Sequence, residues 1–204
     1  MITSRGLPAP VISDHLTRRA SRLRYAPGTE FYIGTIQMVA NTGTHIDSPF
    51  YRYATGRDLA ELPLTALADL ECVVARLLAR DEWPIARLPL TEADVRGRAV
   101  LVHTGWDQHW GTDRYFEDHP YLTGGLATWL VESGAVLVGI DSLNIDGTDT
   151  KERPVHSILL AHGVPVVEHL CNLAAVPERG GRFFAVPVKV KAFPAFPVRA
   201  FVVA

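Results

Sequence analysis

RAVLVHTG (98–105), TGGLATWLVESG (123–134) and AVLVGID (135–141) decide the reading of the fold. The first and third are short apolar runs rich in β-branched residues, the composition of a buried strand. The middle one carries helical punctuation. Thr123 offers an N-cap oxygen and Gly134 a stop. Strand, helix, strand in that order predicts a βαβ unit and a parallel pair of strands. The class is α/β, with a mixed sheet in a single domain.

Downstream, PVHSILLAHG (154–163) predicts a second helix, opened by Pro154 and closed by Gly163. VPVVEHL (164–170) reads as a strand. The tail segments RFFAVPVKV (182–190) and FPVRAFVVA (196–204) predict two final strands, with Pro187 and Pro197 confined to edges or strand starts. Upstream, CVVARLLA (72–79) suits a buried strand, and TEADVRG (91–97) a short helix capped by Thr91 and ended by Gly97. FYIGTIQMVAN (31–41) reads as a strand ending in a turn. TGTHIDSPF (42–50) reads as a bent loop marked by Gly43 and Pro49. Residues 1–30 are polar and carry Pro8, Pro10, Pro27 and Gly28. They are expected to form an irregular arm with a short helical or extended piece near Ser13–Arg24, of the kind that packs over a neighbouring subunit. Residues 31–204 form the domain proper.

Composition narrows the function. At 204 residues and 48% hydrophobic content, the chain buries a core without disulfide support. The formal net charge is −2 and no Lys/Arg block stands out, which argues against a nucleic-acid partner. No run of about 18 apolar residues suggests a transmembrane helix, and the first residues lack the apolar core of a secretion signal. The two cysteines, Cys72 and Cys171, form no CxxC pair and read as reduced thiols in a cytoplasmic protein.

The chemistry concentrates in two places. In NTGTHIDSP (41–49), His45 and Asp47 are two apart, so on an extended backbone both face one side. An imidazole and a carboxylate converging there suit Zn²⁺ or Mn²⁺, which accept mixed nitrogen and oxygen donors. Later, His156 lies on the predicted 154–163 helix, and Glu168 emerges from an apolar run, where an unpaired carboxylate is costly. The turn at Gly163 brings the two elements together. The remaining histidines carry weaker signals. His103 reads as a satisfied strand-end residue, His109 as surface or a pocket mouth, His15 as exposed, and His119, His162 and His169 as lacking partners. Trp106 and Trp110 suggest an aromatic wall. Asp141, Asn144 and Asp146 follow a strand, where α/β folds place functional loops, although Asp141 equally suits a turn cap.

NTGTHIDSP is similar to the cyclase-family signature HxGTHxDxPxH, and HTGW (103–106), GIDSLNID (139–146) and VEHLCNL (167–173) resemble family blocks in the same order. The resemblance covers most of residues 30–204. It implies a swivelling β/β/α-type fold, dimers or larger assemblies, and a divalent-metal hydrolase of the group that includes kynurenine formamidase. It assigns His45, Asp47, His156 and Glu168 to the metal, usually zinc or manganese. Asn41 and Tyr51 stand where the family pattern has histidines. Asparagine is a weaker zinc ligand than imidazole, and tyrosine is a poor base at neutral pH.

The expected activity is metal-assisted hydrolysis of an amide, lactam or ester of a small, aromatic substrate. Asp47 and Glu168 would orient the water, and Tyr51 would donate a hydrogen bond to the oxyanion or leaving group. Asn41, Trp106 and Asn144 are expected to contact substrate, and the chain to form a homodimer or homotetramer. The rival readings are a cyclase or dehydratase of secondary metabolism and an inactive small-molecule binder.

Overall fold

The computed structural model describes residues 7–78 and 83–204. Residues 1–6 of the expected arm and Ala79 of the 72–79 run lie outside the described residues. In chain order the elements are β1 (Val11–Leu16), α1 (Arg18–Arg22), β2 (Ile33–Gln37), β3 (His45–Asp47), β4 (Leu70–Arg76), α2 (Glu92–Val95) and β5 (Ala99–His103). They continue as α3 (Gly124–Glu132), β6 (Leu137–Ile140), α4 (Pro154–Ala161), β7 (Val166–Glu168), β8 (Gly181–Phe184), β9 (Ala195–Pro197) and β10 (Phe201–Val203).

The expected βαβ unit is present. β5 pairs parallel to β6, with α3 in the crossover, and β4 and β7 extend the parallel set on either side. Local chemistry sets the helix ends. Thr123 Oγ1 accepts from Leu126 N at 3.1 Å, and Gly134 adopts φ 85°. α2 closes a reciprocal capping box between Thr91 and Asp94. α4 starts on Pro154, and Gly163 beyond its end has φ 74°. Alternation along β5 supplies two apolar faces. Val100 and Val102 join Leu126, Leu130, Val155 and Leu159 from α3 and α4. Ala99 and Leu101 join Ile46, Val167 and Phe183.

The eight-stranded sheet runs β10-β8-β4-β5-β6-β7-β3-β9, parallel in its centre and antiparallel at both flanks. β9 and β10 lie at opposite ends of this order, yet only Val198, Arg199 and Ala200 separate them. Laid flat, the end strands would stand about 33 Å apart, from spacings of about 4.7–4.9 Å. The four residue steps from Pro197 to Phe201 reach about 14 Å at most. The sheet therefore curls until its edges approach. Phe196, Val198, Ala200 and Val202 of the tail pack on the Ile46–Val167–Phe183 cluster.

Three expectations change. The tail forms three strands rather than two, because its last nine residues divide between the two sheet edges; Pro197 does lie in an edge strand. The 42–50 loop contains a strand, β3, because His45–Asp47 pairs with both β7 and β9. Those partners are far away in sequence, and Gly43 and Pro49 mark only its borders. The 13–24 piece is both extended and helical, and β1 pairs antiparallel with β2 in a separate two-stranded ribbon. No helix among the described residues is long and apolar enough to cross a membrane.

After β3 the chain makes a 3-10 turn over Pro49–Tyr51 and doubles back, so that Phe50 N donates to Arg57 O at 3.0 Å. A Cβ on Gly56 would lie 2.6 Å from the Pro49 carbonyl carbon and 2.7 Å from its oxygen. Backbone gives way less easily than a side-chain tip. Gly56→Ala should therefore lower stability by about 1–3 kcal/mol, the cost of overpacking, as read from the urea midpoint. An unchanged midpoint would mean that the 49–51 turn shifts freely.

Candidate metal centre

The site grows from the pairing of β3 with β7. His45 and Asp47 project to one side of β3 while Ile46 enters the core on the other. The register sets His45 opposite Glu168 and Asp47 opposite Val166, so Glu168 shares their side. α4 covers that side and buries His156 against it. His45, Asp47, His156 and Glu168 are between 0% and 3% exposed. His156 Nε2 stands 3.4 Å from Asp47 Oδ2 and 3.4 Å from Glu168 Oε1. His45 Nε2 stands 3.4 Å from Glu168 Oε2 and 3.7 Å from Asp47 Oδ2.

Hydrogen bonds fix the ring orientations. His45 Nδ1 lies 2.8 Å from Gly43 O, which only accepts, so Nδ1 carries the proton and Nε2 faces the carboxylates. His156 Nδ1 lies 2.7 Å from Asp146 Oδ2, and its Nε2 likewise turns inward. Asp146 also accepts from the backbone of Val155 and His156, anchoring the start of α4. Glu168 Oε1 accepts from Ile145 N at 2.7 Å.

Charge is out of balance with burial. Burial opposes protonation of His45 and His156, yet the adjoining carboxylates win. They raise His45 well above the usual imidazole range and His156 to about 10. Burial also opposes ionisation of Asp47, but the two histidines pull it down to about 2; Glu168 is lowered for the same reason. The cluster thus favours positive charge among buried carboxylates. A divalent cation would meet that demand and leave both imidazoles neutral. The donor spacing fits as well: ligands at about 2.0–2.2 Å on a tetrahedral ion lie about 3.3–3.6 Å apart. Asp47, His156 and Glu168 form one three-donor group, and His45, Glu168 and His169 form a second.

Asn41 and Tyr51 both border this cluster. Asn41 Nδ2 is 3.1 Å from His45 Nε2 and donates to Asp47 Oδ1 at 3.3 Å. The Tyr51 ring lies 5.5 Å from that of His156, and its pKa is pushed up to about 12 by burial and by Asp47 and Glu168. Asn144 accepts from Asp146 N, bracing the residue that orients His156. Trp106 is buried, and its indole N–H donates to Tyr115 O. Trp110 and Tyr115 lie beside the cluster, their rings 5.7 Å from that of His169.

Other residues settle into structural roles. His103 bonds Arg76 at a strand end, His15 is exposed, and Asp141 caps the backbone of Thr104 and Gly105. His162 bonds Ile158 O, and His119 bonds Pro120 O and Thr148, so neither lacks partners as expected. His169 also departs from that expectation. As the neighbour of Glu168 it should face the opposite side of a strand. β7 ends at Glu168, however, and a φ of 56° turns His169 back toward the site. Burial drives its pKa down to about 4. The only sequence signal for it was its place beside an acidic ligand.

A family model described as putative cyclase matches residues 8–147. A kynurenine formamidase from Paracidovorax citrulli is 30% identical over 172 residues, which is 82% of this chain and 78% of the relative. Isatin hydrolase A from Labrenzia aggregata shares the fold at a TM-score of 0.77 and 20% identity, over 96% of this chain and 83% of its own. A protein described as a potential metal-dependent hydrolase with cyclase activity gives a TM-score of 0.69 at 25% identity, over 95% and 98%. With the matched model spanning most of the chain and the signature folded around one buried donor set, the chain belongs to the cyclase family.

Proposed function

We propose that the chain is a metal-dependent hydrolase that opens an amide, lactam or ester bond of a small, aromatic substrate. The observation that carries this reading is the buried donor set of His45, Asp47, His156 and Glu168. The 30% identity to a kynurenine formamidase supports a carbon–nitrogen bond on an aromatic compound as the target. Zinc or manganese suits these nitrogen and oxygen donors. A bound divalent ion supplies a water of lowered pKa and a Lewis acid for the substrate carbonyl.

The chain's own groups do the rest. Asp47 and Glu168 stay ionised and accept hydrogen bonds that orient the attacking water. Asp146 holds His156 in one tautomer and one direction. Tyr51, with its pKa near 12, keeps its proton at neutral pH. It serves as a hydrogen-bond donor to the developing oxyanion or the leaving group, not as a base. Asn41 offers its amide to substrate. Trp106 and Asn144 act at one remove, bracing Tyr115 and Asp146. Trp110 and Tyr115 give an aromatic substrate a face to pack on.

We place the working protein in the cytoplasm, in line with its two free cysteines, and as a homodimer or homotetramer. The β1–β2 ribbon supports the assembly. Two strands alone are marginal in water, and this pair leaves Val11, Ile12 and Ile36 exposed, Ile12 to 73%. A second copy of the chain would cover them.

Three outcomes test the reading. Excess Zn²⁺ or Mn²⁺ should raise the unfolding temperature of the metal-free protein, and His156→Ala should lose most of that rise. A variant with an undiminished response would remove His156 from the ligand set. Tyr51→Phe should lower kcat by roughly 10²–10³, the usual cost of one oxyanion donor, with metal content unchanged. Full activity on the true substrate would reduce Tyr51 to packing. Light scattering should give two or four chain masses, and Ile12→Asp with Ile36→Asp should shift the protein toward one. A monomeric wild type would discard the ribbon as an interface.

A further inference from the structure

We propose that Arg52 and Arg153 form a subsite at the mouth of the site that binds a carboxylate on the substrate, remote from the bond that is cut. The inference rests on the hydrolase reading above and adds the charge of its aromatic substrate.

Both arginines are tied to the start of α4, the helix that brings His156 to the centre. Arg153 is its N-cap residue. Its Nη1 donates to Gly147 O at 3.2 Å, Thr150 O at 2.9 Å and Glu152 O at 2.7 Å, so the 147–153 loop wraps around one nitrogen of the guanidinium. Arg52 Nε donates to Ser157 Oγ at 3.1 Å, and Ser157 Oγ donates in turn to Arg153 O at 2.7 Å. One serine of α4 thus joins the two residues. Tyr53 OH donates to Ser157 O at 2.9 Å and holds the 49–53 turn against the helix. Tyr51 lies in that turn, its ring 5.5 Å from that of His156 and the residue 42% exposed. It borders the buried donors on one side and solvent on the other.

Helix stability does not explain Arg153. A cation at a helix N-terminus opposes the macrodipole, and Asp146 already accepts from Val155 N and His156 N there. Ion pairing does not explain it either. Among the described residues neither Arg52 nor Arg153 has a carboxylate partner, although Asp149 and Glu152 are close to Arg153 in sequence. Arg153 is half-buried, and its Nε and Nη2 carry no hydrogen bond among the described residues. Those two nitrogens form the edge of a guanidinium that meets both oxygens of a carboxylate in parallel.

The charge faces the site. Burial, Asp47 and Glu168 push the Tyr51 hydroxyl up to about 12, and the Arg153 guanidinium acts against them. Burial lowers His119, and Arg153 adds to that effect. The field of the guanidinium therefore reaches both rings. The centre itself has no positive charge to spare for a remote acid group, because Asp47 and Glu168 already match one divalent ion. A carboxylate on the substrate needs a cation of its own, and Arg52 and Arg153 supply two.

The test compares the three ring isomers of N-formylaminobenzoate with formanilide, which lacks the carboxylate, by formate release from the metal-loaded protein. At least one isomer should exceed formanilide in kcat/KM. Arg153→Met should cut that preference about 10–100-fold, the worth of hydrogen bonds to a charged group, through KM rather than kcat. Arg153→Lys keeps the charge but loses the two-nitrogen edge, and should restore only part of it. Arg52→Met should give a smaller fall, and it decides the matter if Arg153→Met fails to fold. Calorimetry of the matching aminobenzoate gives a readout free of turnover, in which the same variants should bind more weakly in the same order. Equal kcat/KM for formanilide and every isomer would overturn the subsite and leave the hydrolase reading standing. So would a preference and an affinity unchanged in every folded variant, or an Arg153→Met that slows all four compounds alike. Aminobenzoate binding that depends on Arg153, without hydrolysis of any amide, would overturn the hydrolase reading and keep the subsite. Neither hydrolysis nor binding would overturn both.

Discussion

The antiparallel pairing of β3 with β7 is the constraint on which the site depends. It is only three residues long, and it sets His45 opposite Glu168 across the ladder. Strand pleating then places His45, Asp47 and Glu168 on one side and Ile46 and Val167 in the core on the other. A slip of one residue would exchange these sets, putting charge into the apolar cluster and apolar side chains into the site. The core and the site therefore enforce the same register. α4 completes the arrangement, because Val155 and Leu159 anchor it on the sheet while His156 meets the carboxylates.

β3 is short for a strand that carries so much chemistry, and its other neighbour compensates. β9 pairs along its free side, so all three residues lie between two partners. β9 can do this because the tail spans from one edge of the curled sheet to the other within a few residues. The two edges approach without pairing to each other, and β9 covers the edge that β3 would otherwise expose. It also fixes β3 before any ion or substrate is considered.

The electrostatics follow from that rigidity. Asp47 and Glu168 are buried with imidazoles for company, and burial alone would push such carboxylates toward neutrality. Here the histidines reverse the effect, and the carboxylates in turn raise His45 and His156. Asp146 stands behind His156 and Gly43 O stands behind His45, so each ring is oriented before it is asked to coordinate. Preorganisation of this kind belongs to binding and catalysis, since a purely structural core has cheaper ways to fill the same volume.

Much of this was legible from the chain alone where the signal is local. Thr123 with Gly134, Thr91 with Gly97, and Pro154 with Gly163 bound their helices because capping involves residues within one turn of each other. The i, i+2 spacing of His45 and Asp47 shows a shared side whenever the backbone is extended. What stayed hidden depends on partners far away in sequence. β3 looked like a loop because its partners lie beyond residue 165, and the tail was divided by sheet edges that no tail residue names. Asp146 became the support of His156 only when α4 docked. His169 joined the site only because β7 ends one residue earlier and the backbone turns positive. Local hydrogen bonds and steric preferences wrote the elements and two of the donor pairs. Long-range pairing and a single positive φ selected which side chains share the buried space, since only the assembled, curled sheet brings those backbones together.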